Sequence, residues 1–137
     1  MNIMLDTNII LDSLITERAA SFPESVQVIN MLLSDENNTC FVSASAITDI
    51  HYLLRKSFKS DKVARSYIRS ISRSFAIANV CDDDIFNALE SDLSDFEDSV
   101  VDAVATRLGC EYIISRNNMD FVNSQTAAVT PAEMLAM

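Results

Sequence analysis

The chain has 137 residues, 49% of them hydrophobic, which is enough for one domain with a sizeable core and too little for two, so a single domain over residues 1–137 is expected. No apolar run is long enough to span a bilayer, and the amino end has neither the basic flank nor the long apolar region of a signal peptide; a cytoplasmic protein free of the membrane is expected. One histidine, three scattered cysteines and no tryptophan argue against His-based zinc chemistry, a Ser-His-Asp triad and a disulfide scaffold, and a net charge of −10 leaves carboxylates as the available chemistry.

The first strand is expected at Ile3–Leu5, with Asp6 at its carboxyl end and Thr7-Asn8 as a polar hinge into a short helix over Ile9–Leu14. In open α/β sheets ligands bind outside the carboxyl ends of the strands, so Asp6 stands either at a site or as a helix cap. A polar connection over Thr16–Ser21 follows. Pro23 opens a helix with the apolar stripe Val26, Ile29, Met31, Leu32 and Leu33, stopped by the polar run Ser34–Asn38. Thr39–Val42 reads as a second strand, after which Ser43 or Ser45 caps a helix carrying Ile47, Ile50, Leu53 and Leu54, with Asp49 about two turns in. The next helix runs from about Ser60 to Arg73 and buries Ala64, Tyr67, Ile68 and Ile71.

Phe75–Val80 alternates as a third strand, and the acids of Asp82-Asp83-Asp84 suit the amino end of a helix through Glu90. Asp95 is placed to cap a further helix, with Asp98 answering in a capping box, Phe96, Val100, Val104 and Leu108 as its buried stripe, and Gly109 as its stop. Glu111–Ile114 forms a fourth strand, Ser115–Asp120 a loop, Ala127–Thr130 a last strand, and Pro131 starts a final short helix. Strands separated by helices imply an α/β fold, a three-layer α/β/α sandwich with a mostly parallel sheet of four or five strands. Gly109 is the only glycine, so there is no Rossmann or Walker-type phosphate loop.

The charges are segregated. Seven of the ten bases lie between positions 55 and 73, where Asp61 is the only acid, and nine acids without a base lie between Asp82 and Asp102. Within this layout Asp6, Asp49, Asp98 and Asp120 all fall where the active edge of the sheet is expected. Clustered carboxylates repel one another, and a hard cation such as Mg²⁺ or Mn²⁺ relieves that repulsion. Taken singly each has a plainer role: Asp49 as a solvated helix acid, Asp98 as a capping-box member, Asp120 as a turn former. Asp12 reads as structural and Asp102 as a solvated or salt-bridged acid. Lys62, Arg65, Arg69 and Arg73 share one face of their helix, as a solvated stripe or as a track for a phosphate backbone.

Leu5-Asp6-Thr7-Asn8, Asp95-Phe96-Glu97-Asp98 with its Ala-containing helix, and Tyr112–Asn117 followed by Asp120-Phe121 resemble the ordered motifs of PIN domains, the metal-dependent ribonucleases that include VapC-type toxins. The resemblance implies Asp6, Asp49, Asp98 and Asp120 as an acidic quartet, with Asp6, Asp98 and Asp120 holding Mg²⁺ or Mn²⁺ and Asn8, Asn117 and Arg116 in support. It also implies RNA as substrate, a cognate antitoxin as partner and a homodimer. The sequence departs from the family pattern at Asp49, where glutamate is common, and at Asn117, where many members carry an acid. Those departures keep a second reading open, a catalytically degenerate binding protein. A haloacid dehalogenase-type phosphatase is disfavoured because that chemistry needs a second aspartate where Asn8 stands.

Overall fold

The computed structural model describes residues 1–137. Five strands, β1 (Asn2–Leu5), β2 (Thr39–Ser43), β3 (Ala76–Ala78), β4 (Tyr112–Ile114) and β5 (Ala128–Val129), form one sheet in the order β3-β2-β1-β4-β5. All four pairings are parallel, with Met4 in register with Phe41 on one side and with Ile113 on the other. The helices are α1 (Thr7–Leu14), α2 (Thr16–Ser21), α3 (Pro23–Leu33), α4 (Ala44–Phe58), α5 (Asp61–Ser74), α6 (Asp82–Leu89), α7 (Phe96–Arg107) and α8 (Pro131–Leu135), with a 3-10 turn over Asn118–Phe121.

Parallel strands are buried on both faces, and alternate side chains sort the core into two layers. Ile3, Leu5, Val42 and Ile114 pack with Ile9, Ile10, Val28, Leu32, Ile50, Leu54 and Ile71 under α1, α3, α4 and α5. Met4, Ala78 and Ile113 pack with Ala88, Val100, Val101, Val104 and Phe121 under α6 and α7. The α/β/α sandwich expected from the alternation of strands and helices is therefore present, with five strands.

Several local readings need correction. Thr16–Ser21 is a helix: buried Ile15 breaks α1 with an extended backbone, its carbonyl then accepts from Ala19 N–H, and Arg18 is drawn back to Asp12 at 3.1 Å. On α3 the buried stripe is Ser25, Val28, Ile29 and Leu32, while Met31 and Leu33 are exposed. Ser25 is tolerated in the core because its hydroxyl donates to Asp12 at 2.7 Å. On α7 Phe96 is exposed and Leu108 half-buried; Ser99, Val101, Asp102 and Ala105 join Val100 and Val104 in the core, because small side chains let this helix lie close against the sheet. Asp102 is buried, not solvated: its carboxylate accepts the backbone N–H groups of Gln125 and Thr126 at 2.9 and 3.0 Å and holds the approach to β5. Gly109 does end its helix as expected, at φ +67°.

Candidate active site

The chain leaves β1 for β2 on one side of the sheet and later returns to β4 on the other, so the crevice beyond the carboxyl ends of β1 and β4 is a topological switch point. Asp6 stands there. Its N–H continues the ladder to Ile114 O at 3.0 Å, which fixes the backbone, and its carboxylate is held at both oxygens. Oδ1 accepts the N–H of Thr7 at 2.9 Å, so Asp6 caps α1, and Oδ2 accepts the buried hydroxyl of Ser115 at 2.8 Å.

Asp6, Asp49, Asp98 and Asp120 line one open cleft of about 320 Å³, with Thr7, Asn8, Tyr52, Leu53, Asp95, Glu97 and Asn117. Asp95 caps α7 by accepting Asp98 N–H at 3.0 Å; no reciprocal bond from the Asp95 backbone to the Asp98 carboxylate forms, so the capping-box role expected for Asp98 is absent. Its carboxyl is pushed up to about 7, first by burial and then by the charges of Asp6, Asp95 and Asp120. Burial also raises Asp6, and Asp120 adds to this, while Ser115, Thr7 and Arg116 oppose it.

Glu97 is a residue that motif reasoning passed over. At the rim of the cleft its carboxyl is raised to about 7 by partial burial, then by the hydrogen bond its protonated form donates to Asp49 and by the charge of Asp49, with Asp95 and Asp98 adding to the repulsion. The available signal was the density of acids in Asp95-Phe96-Glu97-Asp98, which spacing alone could not sort into cap and site. Ser115 was likewise missed as a positioning residue: it is fully buried, it donates to Asp6, and its Oγ accepts Asn117 N–H at 3.1 Å.

Behind the cleft, fully buried Asp12 accepts from Arg18 Nε at 3.1 Å, Arg116 Nε at 2.8 Å and Ser25. The structural role read for Asp12 is therefore correct, and the guanidinium of Arg116, which also lies 3.7 Å over the Phe22 ring, is committed to it. Arg18 Nη2 donates to Asn8 Oδ1 at 3.0 Å and so holds the Asn8 side chain, which lines the cleft.

The basic residues do not line this cleft. Arg65 and Arg69 border a second hollow, between α4 and α5, with Ile47, His51 and Ile68. Arg65 is paired with Asp61 at 2.7 Å, which also bonds His51 at 2.9 Å, whereas Lys62 and Arg73 border neither hollow.

The acidic cleft offers carboxylate oxygens, donors that suit a hard divalent cation. No three of its acids converge into a ready-made cage.

A parallel α/β sandwich with a carboxylate-lined crevice at its switch point defines the class of the molecule. The family model described as "PIN domain" matches residues 2–119, and the chain belongs to the PIN domain family. Among curated proteins sequence comparison finds no match. Several solved structures have similar folds. VapBC2 from Rickettsia felis, bound to a DNA fragment from its promoter, is 17% identical with TM-score 0.73, over 95% of this chain and 98% of that one. FitAB bound to IR36 DNA is 19% identical with TM-score 0.74, over 94% of each chain. A toxin-antitoxin complex from Klebsiella pneumoniae is 23% identical with TM-score 0.68, over 93% and 96%.

Proposed function

We propose that this chain is a metal-dependent endoribonuclease and the toxin of a toxin-antitoxin pair. The observation that carries the reading is the gathering of Asp6, Asp49, Asp98 and Asp120 in one cleft, with Asp98 pushed up to about 7 by burial and by its acidic neighbours. Such a cluster holds charge that a cation relieves. PIN domains are generally nucleases, and two of the similar folds come from toxin-antitoxin structures.

Asp6, Asp98 and Asp120 are the side chains that would hold Mg²⁺ or Mn²⁺. The cation supplies acidification of water and neutralisation of charge building on the phosphate. Asp49 orients or deprotonates the attacking water, and Glu97 beside it retains a proton near neutral pH. Asn8 and Asn117 present amides at the mouth of the cleft, and Arg116 favours the ionised form of Asp6 from its seat on Asp12. Lys62, Arg65, Arg69 and Arg73 on α5, with Arg55 and Lys56 on α4, track the RNA backbone through its phosphates. Hydrolysis leaves a 5′-phosphate and a 3′-hydroxyl. A cognate antitoxin covers the acidic cleft with a cationic side chain, the chain acts as one domain in the cytoplasm, and it pairs as a homodimer.

The test is cleavage of a mixed RNA pool in Mg²⁺, Mn²⁺ or EDTA, beside an Asp6→Asn variant. Cutting that needs the metal and is lost in the variant is the expected result. No cutting, with no heat of Mn²⁺ binding, overturns the reading in favour of a PIN-like binding protein, the alternative that the departures from the family pattern at Asp49 and Asn117 keep open.

A further inference from the structure

We infer that Tyr52 is a base-stacking residue that selects the nucleotide beside the scissile phosphate, an inference that rests on the nuclease reading above. Tyr52 is 60% exposed, it lines the acidic cleft, and its hydroxyl has no hydrogen-bond partner within the chain. It is one of the few apolar surfaces in a cleft otherwise walled by acids and amides, and adjoining Leu53 is 36% exposed. An aromatic ring so placed neither contributes to the core nor completes a polar network.

Its position on α4 gives it a purpose. Asp49 lies three residues before it, and Arg55 and Lys56 lie three and four after it, so acid, aromatic ring and bases succeed one another along one helix at about one turn, roughly 5 Å, each. A nucleotide whose phosphate meets the acids then lays its base on Tyr52, and the next phosphate reaches Arg55 or Lys56. Every base offers a π-face, and differences in stacking strength give such a platform a modest base preference.

The chain has no tryptophan, so Tyr52→Trp creates a single fluorescent reporter at this position. In an Asp6→Asn background that does not cut, a single-stranded RNA oligomer should quench that tryptophan, and an abasic ribose-phosphate oligomer of equal length should not. In the cutting protein, Tyr52→Ala should lower kcat/KM about tenfold, mainly through KM, and flatten base preference at one position beside the cut, while Tyr52→Phe stays within about twofold. RNA that binds by anisotropy without quenching the tryptophan, or a Tyr52→Ala variant with unchanged KM and preference, overturns the inference and leaves the nuclease reading intact. A wild-type chain that neither binds nor cuts RNA overturns both.

Discussion

Two small donors keep Asp6 usable as an anion. Burial raises its pKa, and the Ser115 hydroxyl is the strongest force in the other direction. Ser115→Ala should therefore raise the Asp6 pKa further and weaken Mn²⁺ binding by about tenfold, as loss of an outer-shell partner of a metal ligand commonly does. Calorimetric titration against wild type measures it. Three acids of the cleft were legible in sequence because Asp6 follows β1, Asp98 lies in the first turn of α7 and Asp120 in the turn after β4; Asp49, inside α4, was placed by its distance from the end of β2. Ser115, Glu97 and Arg18 were not, since their roles depend on which neighbour each meets across the fold: Ser115 meets Asp6 from 109 residues away. Asp98 shows the same limit from the other side, because its spacing from Asp95 fits a capping box while its carboxylate serves the cleft.

Between elements, one buried carboxylate acts as a tie. Asp12 of α1 is bonded to Arg18 of α2, Ser25 of α3 and Arg116 after β4, which fixes three helices and the loop that carries Asn117. Asp12→Ala strands those donors and should cost about 3 kcal/mol in urea unfolding, at the lower end for a broken buried pair because both arginines retain some access to water. Asp84 of α6 and Arg107 of α7 form a second tie at 3.0 Å. Burial pushes the Asp84 carboxyl up, but bonds from Arg107 and Cys81 outweigh it and hold it below the usual range. A depressed carboxyl stabilises the fold above its unfolded pKa of about 4, and that stability is lost as pH falls through the lower folded value. Arg107→Met should thus lower Tm at pH 7 and do so far less at pH 2, as calorimetry can follow. Neither tie has a periodic signature. The central strands do, as short apolar runs bounded by polar residues, whereas α2 lacks an apolar stripe and reads as a connection.

Across the whole molecule the cleft imposes the opposite pH dependence. Asp98 in the folded chain titrates near 7, above the unfolded value of about 4, so the folded state binds the extra proton between them. The stability this group contributes is complete below about pH 4 and is lost as pH rises through 7. In EDTA, Asp98→Asn should raise Tm at pH 8 and leave it nearly unchanged at pH 4; added Mg²⁺ should stabilise wild type at pH 8 in the same way. The segregated charge makes a separate prediction. Replacing Lys62, Arg65, Arg69 or Arg73 by Gln should weaken RNA binding uniformly across sequences and reduce the salt slope of log K by about 0.7 for each phosphate left without its cation, as binding titrations at several salt concentrations would measure.

The central position of β1 also fixes when the cleft can exist. Asp6 is made 109 residues before its bonding partner Ser115, and Ile114 and the neighbouring Asp120 stand close to Ser115 in the chain. A nascent chain that has reached Gly109 already carries Asp6, Asp49 and Asp98, but has no β4 to close the crevice. The order of synthesis thus withholds the complete acidic cleft until β4 and the turn that follows it have been made.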